Sequence, residues 1–315
     1  MSTHRLPTIA WIFHSAMFAG AISVLSASPA PPAPPPQSAV VAMLAKPAEA
    51  NGPLRPMRIV LLADKKDHKE NEHDYPIWQE RWGLLLGGKT ASAAAQVNLF
   101  GPAIPHKKAF SGADGVTVSF ATGWPSDQEF ASANVIVAFC YLNWNDARKQ
   151  QIREYLDRGG GLALIHSATW TKPKPDAGVA ALVGVGGFTR FRHGPMQLEI
   201  VASGHPICSG LPRQLSLLDE PYWPPTPPIA QNLVTTLAVS SEENADTKRP
   251  SPQPMFWTTE SGRGRVFGCV PGHYTWTFDD PWFRLLLLRG IAWAGNGPVH
   301  RFDPLVLRGA RVSGE

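Results

Sequence analysis

The sequence predicts an α/β domain built on a mostly parallel sheet with helices on both faces. Three observations predict it. Short apolar runs such as 57–63 and 134–140 read as strands buried on both faces. Amphipathic stretches of helical period stand between such runs. Glycine clusters mark the joins, as at Gly159-Gly160-Gly161. Strands and helices alternating at these lengths imply right-handed crossovers, and hence a parallel sheet.

The 315 residues are enough for one large domain with its own core. His4 and Arg5 precede a largely apolar run from Leu6 to Ala27, which small residues and the tract Pro29 to Pro36 follow. That layout predicts a secretory leader over 1–28 and an exported protein, periplasmic or extracellular. The same run is also long enough for an uncleaved N-terminal membrane anchor, which is the alternative. His14, Pro7 and the lack of a flanking basic cluster favour the leader, and no stable membrane insertion of the folded domain is expected. Ten of the 31 prolines precede Met57, and 29–56 reads as an extended, solvated spacer. The domain itself is expected over 57–297, with 298–315 as a tail.

Within the domain, strand 57–63 ends at Asp64 and a polar loop follows. Ile77, Trp78, Trp82, Leu85 and Leu86 recur at helical spacing over 74–86, with Gly87-Gly88 as the stop. Residues 96–100 are a second strand candidate. Strand 134–140 leads into a helix opened by Asp146 and carrying Ile152, Tyr155 and Leu156, and strand 162–165 comes directly after the glycine triplet. Further strands are expected at 197–201, 232–239, 255–259 and 266–270, and a closing helix at 281–294. Trp78, Trp82, Trp282 and Trp293 fall on helix faces and are expected in the core.

Charge and cysteine content narrow the function classes. Twenty-nine basic against 25 acidic residues is too balanced a composition for a nucleic-acid footprint. Cys140, Cys208 and Cys269 form no C-x-x-C pair, so thiolate metal binding is not expected. They are either buried free thiols or one bridge and one thiol.

In parallel sheets ligands bind beyond the carboxyl ends of strands. Asp64 and its loop, residues 141–145, and the run from His166 to Trp170 occupy such positions, as does His273 after strand 266–270. His68, His73, His166 and His273 therefore belong to one predicted rim, where imidazoles serve equally as acid, base or metal ligand. The loop 67–74 is rich in ligand types without matching H-E-x-x-H, and a divalent metal such as zinc is a possible cofactor, with those four histidines as candidate ligands. Glu220 follows another apolar run and is placed to orient His273 or hold a sugar hydroxyl. Trp144, Trp170, Tyr222, Trp223 and Trp276 give the same loops aromatic faces suited to a pyranose. His193, in an aromatic and basic stretch, is a weaker candidate, and His205 reads as a turn residue.

The string Arg158-Gly159-Gly160-Gly161-Leu162-Ala163-Leu164-Ile165-His166-Ser167-Ala168 resembles the GGG-x-x-x-x-HSA signature of the trehalose-utilisation, or ThuA-like, family. So do Gly204-His205-Pro206-Ile207, Gly210-Leu211-Pro212, Asp219-Glu220-Pro221-Tyr222, Gly262 to Phe267 with Gly272-His273, and Arg289 to Gly295. The matches span about 57–297 in the family's order. The resemblance implies a flavodoxin-like three-layer sandwich of the class I glutamine amidotransferase type. Those enzymes place a Cys on a tight strand-to-helix turn and activate it with a late His. Here that turn carries His166 and Ser167, so thioester glutaminase chemistry is not expected. Ser167 as a nucleophile with His273 as base would lack the G-x-S-x-G turn.

The resemblance further implies an exported enzyme acting on a small carbohydrate, a disaccharide or a 3-keto sugar derivative. His166, His273 and Glu220 are then the expected catalytic residues, and Asp64, His68, His73, Trp170, His193, Tyr222 and Trp276 the expected substrate contacts. The alternative is a non-catalytic sugar-binding or interaction module on the same fold.

Overall fold

The computed structural model describes residues 30–44, 54–87, 92–106, 108–227 and 233–314. The leader expected over 1–28 lies outside them, as does Gly88. Nine strands form one sheet: β1 (Met57–Ala63), β2 (Val116–Thr122), β3 (Val135–Ala138), β4 (Gly161–Ile165), β6 (Gly194–Ile200), β7 (Gln214–Asp219), β9 (Val234–Glu243), β10 (Pro250–Ser261) and β11 (Gly264–Cys269), while β5 (Arg190–Phe191) and β8 (Tyr222–Trp223) pair separately. The order is β2-β1-β3-β4-β11-β10-β9-β6-β7. From β2 to β11 every neighbouring pair is parallel, and from β11 to β7 every pair is antiparallel. The parallel half, flanked by helices, is the predicted α/β core, and the antiparallel half extends it.

The central strands are wholly apolar because both faces are covered: β3 and β4 are buried at every position. Helix α2 (Tyr75–Leu86) packs on β1 and β2, the short α3 (Asp127–Ser132) precedes β3, α4 (Asp146–Asp157) packs on α5 (Ala177–Val183), β4, β10 and β11, and α6 (Pro281–Ala294) on β3, β4 and β11. Asn145 and Asp280 cap α4 and α6 by accepting backbone N–H groups, so these two starts are written in sequence as Asn-Asp and Asp-Pro. Gly161 is required by close approach, since a Cβ there would meet the Ala294 carbonyl oxygen at 2.1 Å. Trp78 and Trp82 are fully buried, and Trp282 and Trp293 pack partly buried on the same core.

Three expectations change. Residues 96–100 are not a strand: the Leu99 and Phe100 N–H groups donate to the Asp279 carboxylate at 2.9 and 2.7 Å, so a side chain replaces the ladder. The strand that flanks β1 is β2, at the sheet edge, where Phe120 stays exposed. The stretch expected as a solvated spacer contains helix α1 (Gln37–Leu44) with Val40 fully buried, and Pro36 bridges Ser313. The residues after 297 are packed as well, with Phe302, Leu305 and Val306 in the core cluster. Packing thus continues past both expected domain edges. All three cysteines are free and buried, and no described helix is long and apolar enough to cross a membrane.

Candidate active site

Four elements deliver side chains to one point beyond the carboxyl ends of β1, β4 and β11. His166 is the first residue after β4, and its backbone is left-handed, φ 50°. His73, at φ 42°, ends the loop after β1. A side chain in that region strains the backbone, and such strain concentrates at functional sites. His273 follows β11 through Gly272, whose φ of 136° favours glycine. Its carbonyl accepts the His73 N–H at 2.9 Å, and Thr275 N–H donates to Asn71 at 2.9 Å, which ties the two loops together. Glu220 comes from the far edge of the sheet. Asp219 before it is buried, and its Oδ1 accepts the N–H groups of Glu220, Gly272 and His273 at 2.7, 3.1 and 3.1 Å, while the Thr277 hydroxyl donates to Oδ2. One carboxylate therefore sets the positions of both Glu220 and His273.

The four side chains meet in a ring. His73 Nε2 lies 2.9 Å from His166 Nε2 and 3.1 Å from His273 Nδ1, and Glu220 Oε2 lies 3.1 Å from His166 Nε2 and 3.0 Å from His273 Nδ1. All four residues are buried. Two rings have their tautomers set from behind: His166 Nδ1 faces the Val270 carbonyl at 2.6 Å, and His73 Nδ1 faces Asp67 Oδ1 at 3.1 Å and the Tyr75 hydroxyl at 2.8 Å. Only a protonated Nδ1 satisfies a carbonyl or a carboxylate, so both Nε2 atoms present lone pairs to the ring.

Electrostatics follow from this crowding. Burial, opposed by Asp67, pushes His73 down to about 3, and the neighbouring imidazoles add to the fall. Burial alone would raise Glu220, but its bonds to His166 and His273 and their charges outweigh that and hold the carboxyl well below the usual carboxylate range. Asp67 is likewise raised by burial and lowered further by His73 and His68, ending at about 2. Burial raises the Tyr222 hydroxyl well above its ordinary value and Tyr141 to about 12. Both tyrosines are neutral donors near neutral pH.

A cavity of about 370 Å³ opens over the ring, within the range of small-molecule sites. His68, Tyr141, Trp170, Phe191, His193, Glu220, Tyr222 and His273 line it, with Lys69, Glu72 and Lys172 at its wall. Trp170 stands edge-on to Tyr222 at 4.8 Å and to Phe191 at 6.1 Å. His68 Nδ1 bonds Asp67 Oδ1 at 2.8 Å, so in the neutral ring Nδ1 carries the proton and Nε2 the lone pair. His193 Nε2 is 3.4 Å from Glu220 Oε1, and its Nδ1 is 3.0 Å from the Tyr274 hydroxyl.

Of the residues singled out in the sequence, His68, Trp170, His193, Glu220, Tyr222 and His273 line the cavity, and His73 and His166 form its floor. Asp64 and Trp276 do not reach it. Asp64 accepts the Lys65 N–H at 2.8 Å and lies beside Gly123, on the β2 side. Trp276 is buried behind the site, stacked on Tyr274 at 4.2 Å with its Nε1–H donated to the Leu218 carbonyl. Trp144 and Trp223 are also packed away, the latter donating to the Glu243 carbonyl. His205 accepts the Ile207 N–H in its turn, and Ser167 Oγ is buried without a hydrogen-bond partner. Sequence reasoning placed 67–74 and 141–145 on the rim and Asp219 in a motif, but gave no individual role to Asp67, Tyr75, Tyr141, Phe191 or Asp219. Asp67 and Asp219 each adjoin a residue it did single out, but nothing in their spacing says which backbone or ring they hold.

The set His73, His166, Glu220 and His273 offers one ligand atom each, all within 4.8 Å of one another, and could hold a metal ion. A proton-transfer centre is the other chemistry open to it.

Residues 102–294 match the family model described as ThuA, trehalose utilisation. The chain belongs to the ThuA family. Among solved structures, a putative ThuA-like protein from Bacteroides uniformis superposes with a TM-score of 0.56 at 19% identity, covering 81% of this chain and 99% of its own. A second, from Parabacteroides merdae, gives 0.50 at 18% identity, covering 76% and 90%. At these identities the likeness establishes the ThuA-like fold. The curated proteins contain no match to the chain. Family membership suggests a function related to trehalose utilisation.

Proposed function

We propose that this ThuA-family chain is an exported enzyme acting on a small carbohydrate, a disaccharide or its 3-keto derivative, by imidazole-based proton transfer and without glutaminase activity. The observation that carries the reading is the buried ring of three imidazoles and Glu220 at the floor of an aromatic-lined cavity. Burying four ionisable groups together is costly, and clusters of this kind concentrate at sites that do chemistry or hold a metal.

A ketone in the sugar makes the hydrogen on the adjoining carbon acidic. A base that takes this proton lets the electron pair form a double bond toward the anomeric carbon, and the glycosidic C–O bond breaks as its oxygen accepts a proton. The step needs a base, a proton donor and positive charge near the ketone oxygen. It does not need the paired carboxylates of ordinary glycoside hydrolysis. His68 is suited to be the base, since Asp67 orients its ring and leaves Nε2 toward the cavity. Tyr222 and His193 are the donors nearest Glu220 on the cavity wall. Positive charge there would come from an imidazolium of the ring, balanced overall by the Glu220 carboxylate, or from a divalent ion such as zinc held by the ring. His166 and His273 then serve catalysis through that charge, and Trp170 with Phe191 offers the apolar face for a pyranose.

The test is turnover of 3-keto and unmodified disaccharides by the wild type and by His68→Ala, His166→Ala and His273→Ala. The reading expects turnover of a keto substrate and losses of about 100-fold or more in each variant. Sugar binding without turnover of any substrate would favour the binding-module reading instead.

A further inference from the structure

We infer that the ring is a divalent metal site, with His73 Nε2, His166 Nε2, His273 Nδ1 and Glu220 Oε2 as its ligands. The inference rests on the reading that this ring is the functional centre, and goes on to name what occupies it. His68, at first sight a natural fourth ligand, is replaced by Glu220.

His166 spends its only neutral-state proton on the Val270 carbonyl, and His73 spends its own on Asp67 and the Tyr75 hydroxyl. Two nitrogen lone pairs therefore face each other at 2.9 Å. Glu220 Oε2, which lies 3.1 Å from one of these imidazoles, is a third acceptor aimed inward. His273 Nδ1 completes the ring, leaving its Nε2 buried without a hydrogen-bond partner, with Glu72 Oε2 the nearest carboxylate oxygen at 3.8 Å. A proton on His273 Nδ1 satisfies one of its own two contacts and leaves the His73–His166 contact as it was. A cation at the centre satisfies all four at once.

The four ring contacts agree, and the two remaining ligand pairs lie within 4.8 Å. Zinc holds imidazole nitrogen and carboxylate oxygen at about 2.0–2.2 Å, which in a tetrahedron separates neighbouring ligand atoms by about 3.3–3.5 Å. The ring contacts of 2.9 to 3.1 Å open to that spacing with shifts of a few tenths of an ångström. The outer hydrogen bonds have the form that holds metal-binding imidazoles: a carboxylate behind His73 and a backbone carbonyl behind His166. The Tyr222 hydroxyl lies 2.7 Å from His166 Nε2 and also neighbours Glu220, so it can donate to the carboxylate when that nitrogen binds the ion. Three imidazoles and one carboxylate suit zinc or a similar first-row ion rather than calcium or magnesium.

The experiment is a Co²⁺ titration of the full chain after chelation and dialysis, followed by visible absorption and by elemental analysis of bound metal. We expect one ion per chain, with the intense visible bands of four- or five-coordinate cobalt, displaced by Zn²⁺. Glu220→Ala and His166→Ala should weaken binding by more than 100-fold, Asp67→Asn by about 10–100-fold, and His68→Ala by less than threefold. Circular dichroism on each variant separates lost ligands from lost fold. Failure of the wild type to bind cobalt overturns the inference, as does undiminished binding by folded Glu220→Ala. Turnover by metal-free protein would overturn the metal and keep the carbohydrate reading, whereas a bound ion with no turnover of any sugar would do the reverse.

Discussion

Asp219 shows how much of this site depends on a residue that touches no ligand. Its Oδ1 accepts three backbone N–H groups, so truncation leaves three buried donors without partners. At about 1–3 kcal/mol for each orphaned group, Asp219→Ala should cost about 3 kcal/mol or more, read from urea unfolding. A loss below about 1 kcal/mol would mean that the loops hold themselves. The histidines were legible because all four fall in loops that follow predicted strands, where imidazole chemistry is useful. Their partners were not, since an aspartate in a polar loop looks the same whether it caps a helix or orients a ring. Trp276 and Asp64 illustrate the reverse limit: a position just after a strand or in a rim loop places the backbone near the site, while the side chain's direction is decided by packing.

At the scale of elements, sequence reads best where local and tertiary requirements coincide. Helix α6 begins at Asp280-Pro281 and ends at Gly295, and both ends follow from capping chemistry. Residues 96–100 look like a strand and are held by Asp279, some 180 residues away, which no local pattern can announce. The short turn Pro206–Cys208 offers a pH test. His205 caps it by accepting the Ile207 N–H at Nδ1, and burial lowers its pKa from 6.5. A histidine lowered in the fold stabilises above its unfolded value and loses that contribution as pH falls below about 6.5. The urea midpoint should therefore fall more between about pH 7.5 and 5.5 for the wild type than for His205→Asn, which keeps an acceptor and does not titrate. The difference should be small because water screens a half-buried ring. Equal falls would remove His205 from the account.

For the whole molecule, the alternating pattern was sufficient for the parallel half of the sheet and for the rim on which four histidines lie. It did not reveal that the chain's packed part reaches back to Val40 and forward past Phe302, because isolated apolar residues in proline-rich or terminal segments carry no period. Glu220 was expected beside His273, but the alternating pattern did not show that it would reach from the far edge of the nine-stranded sheet and close a ring with residues that follow β4 and β11. That closure is the reason to assign chemistry to this ThuA-family fold. The assignment is tested most directly by proton NMR of a 3-keto disaccharide incubated with the protein in D₂O. The account predicts that the hydrogen on the carbon beside the ketone is lost, that any hydrogen returned there is deuterium, and that His68→Ala and His273→Ala suppress both. Cleavage that leaves that hydrogen in place, or exchange that proceeds unchanged in both variants, would contradict it.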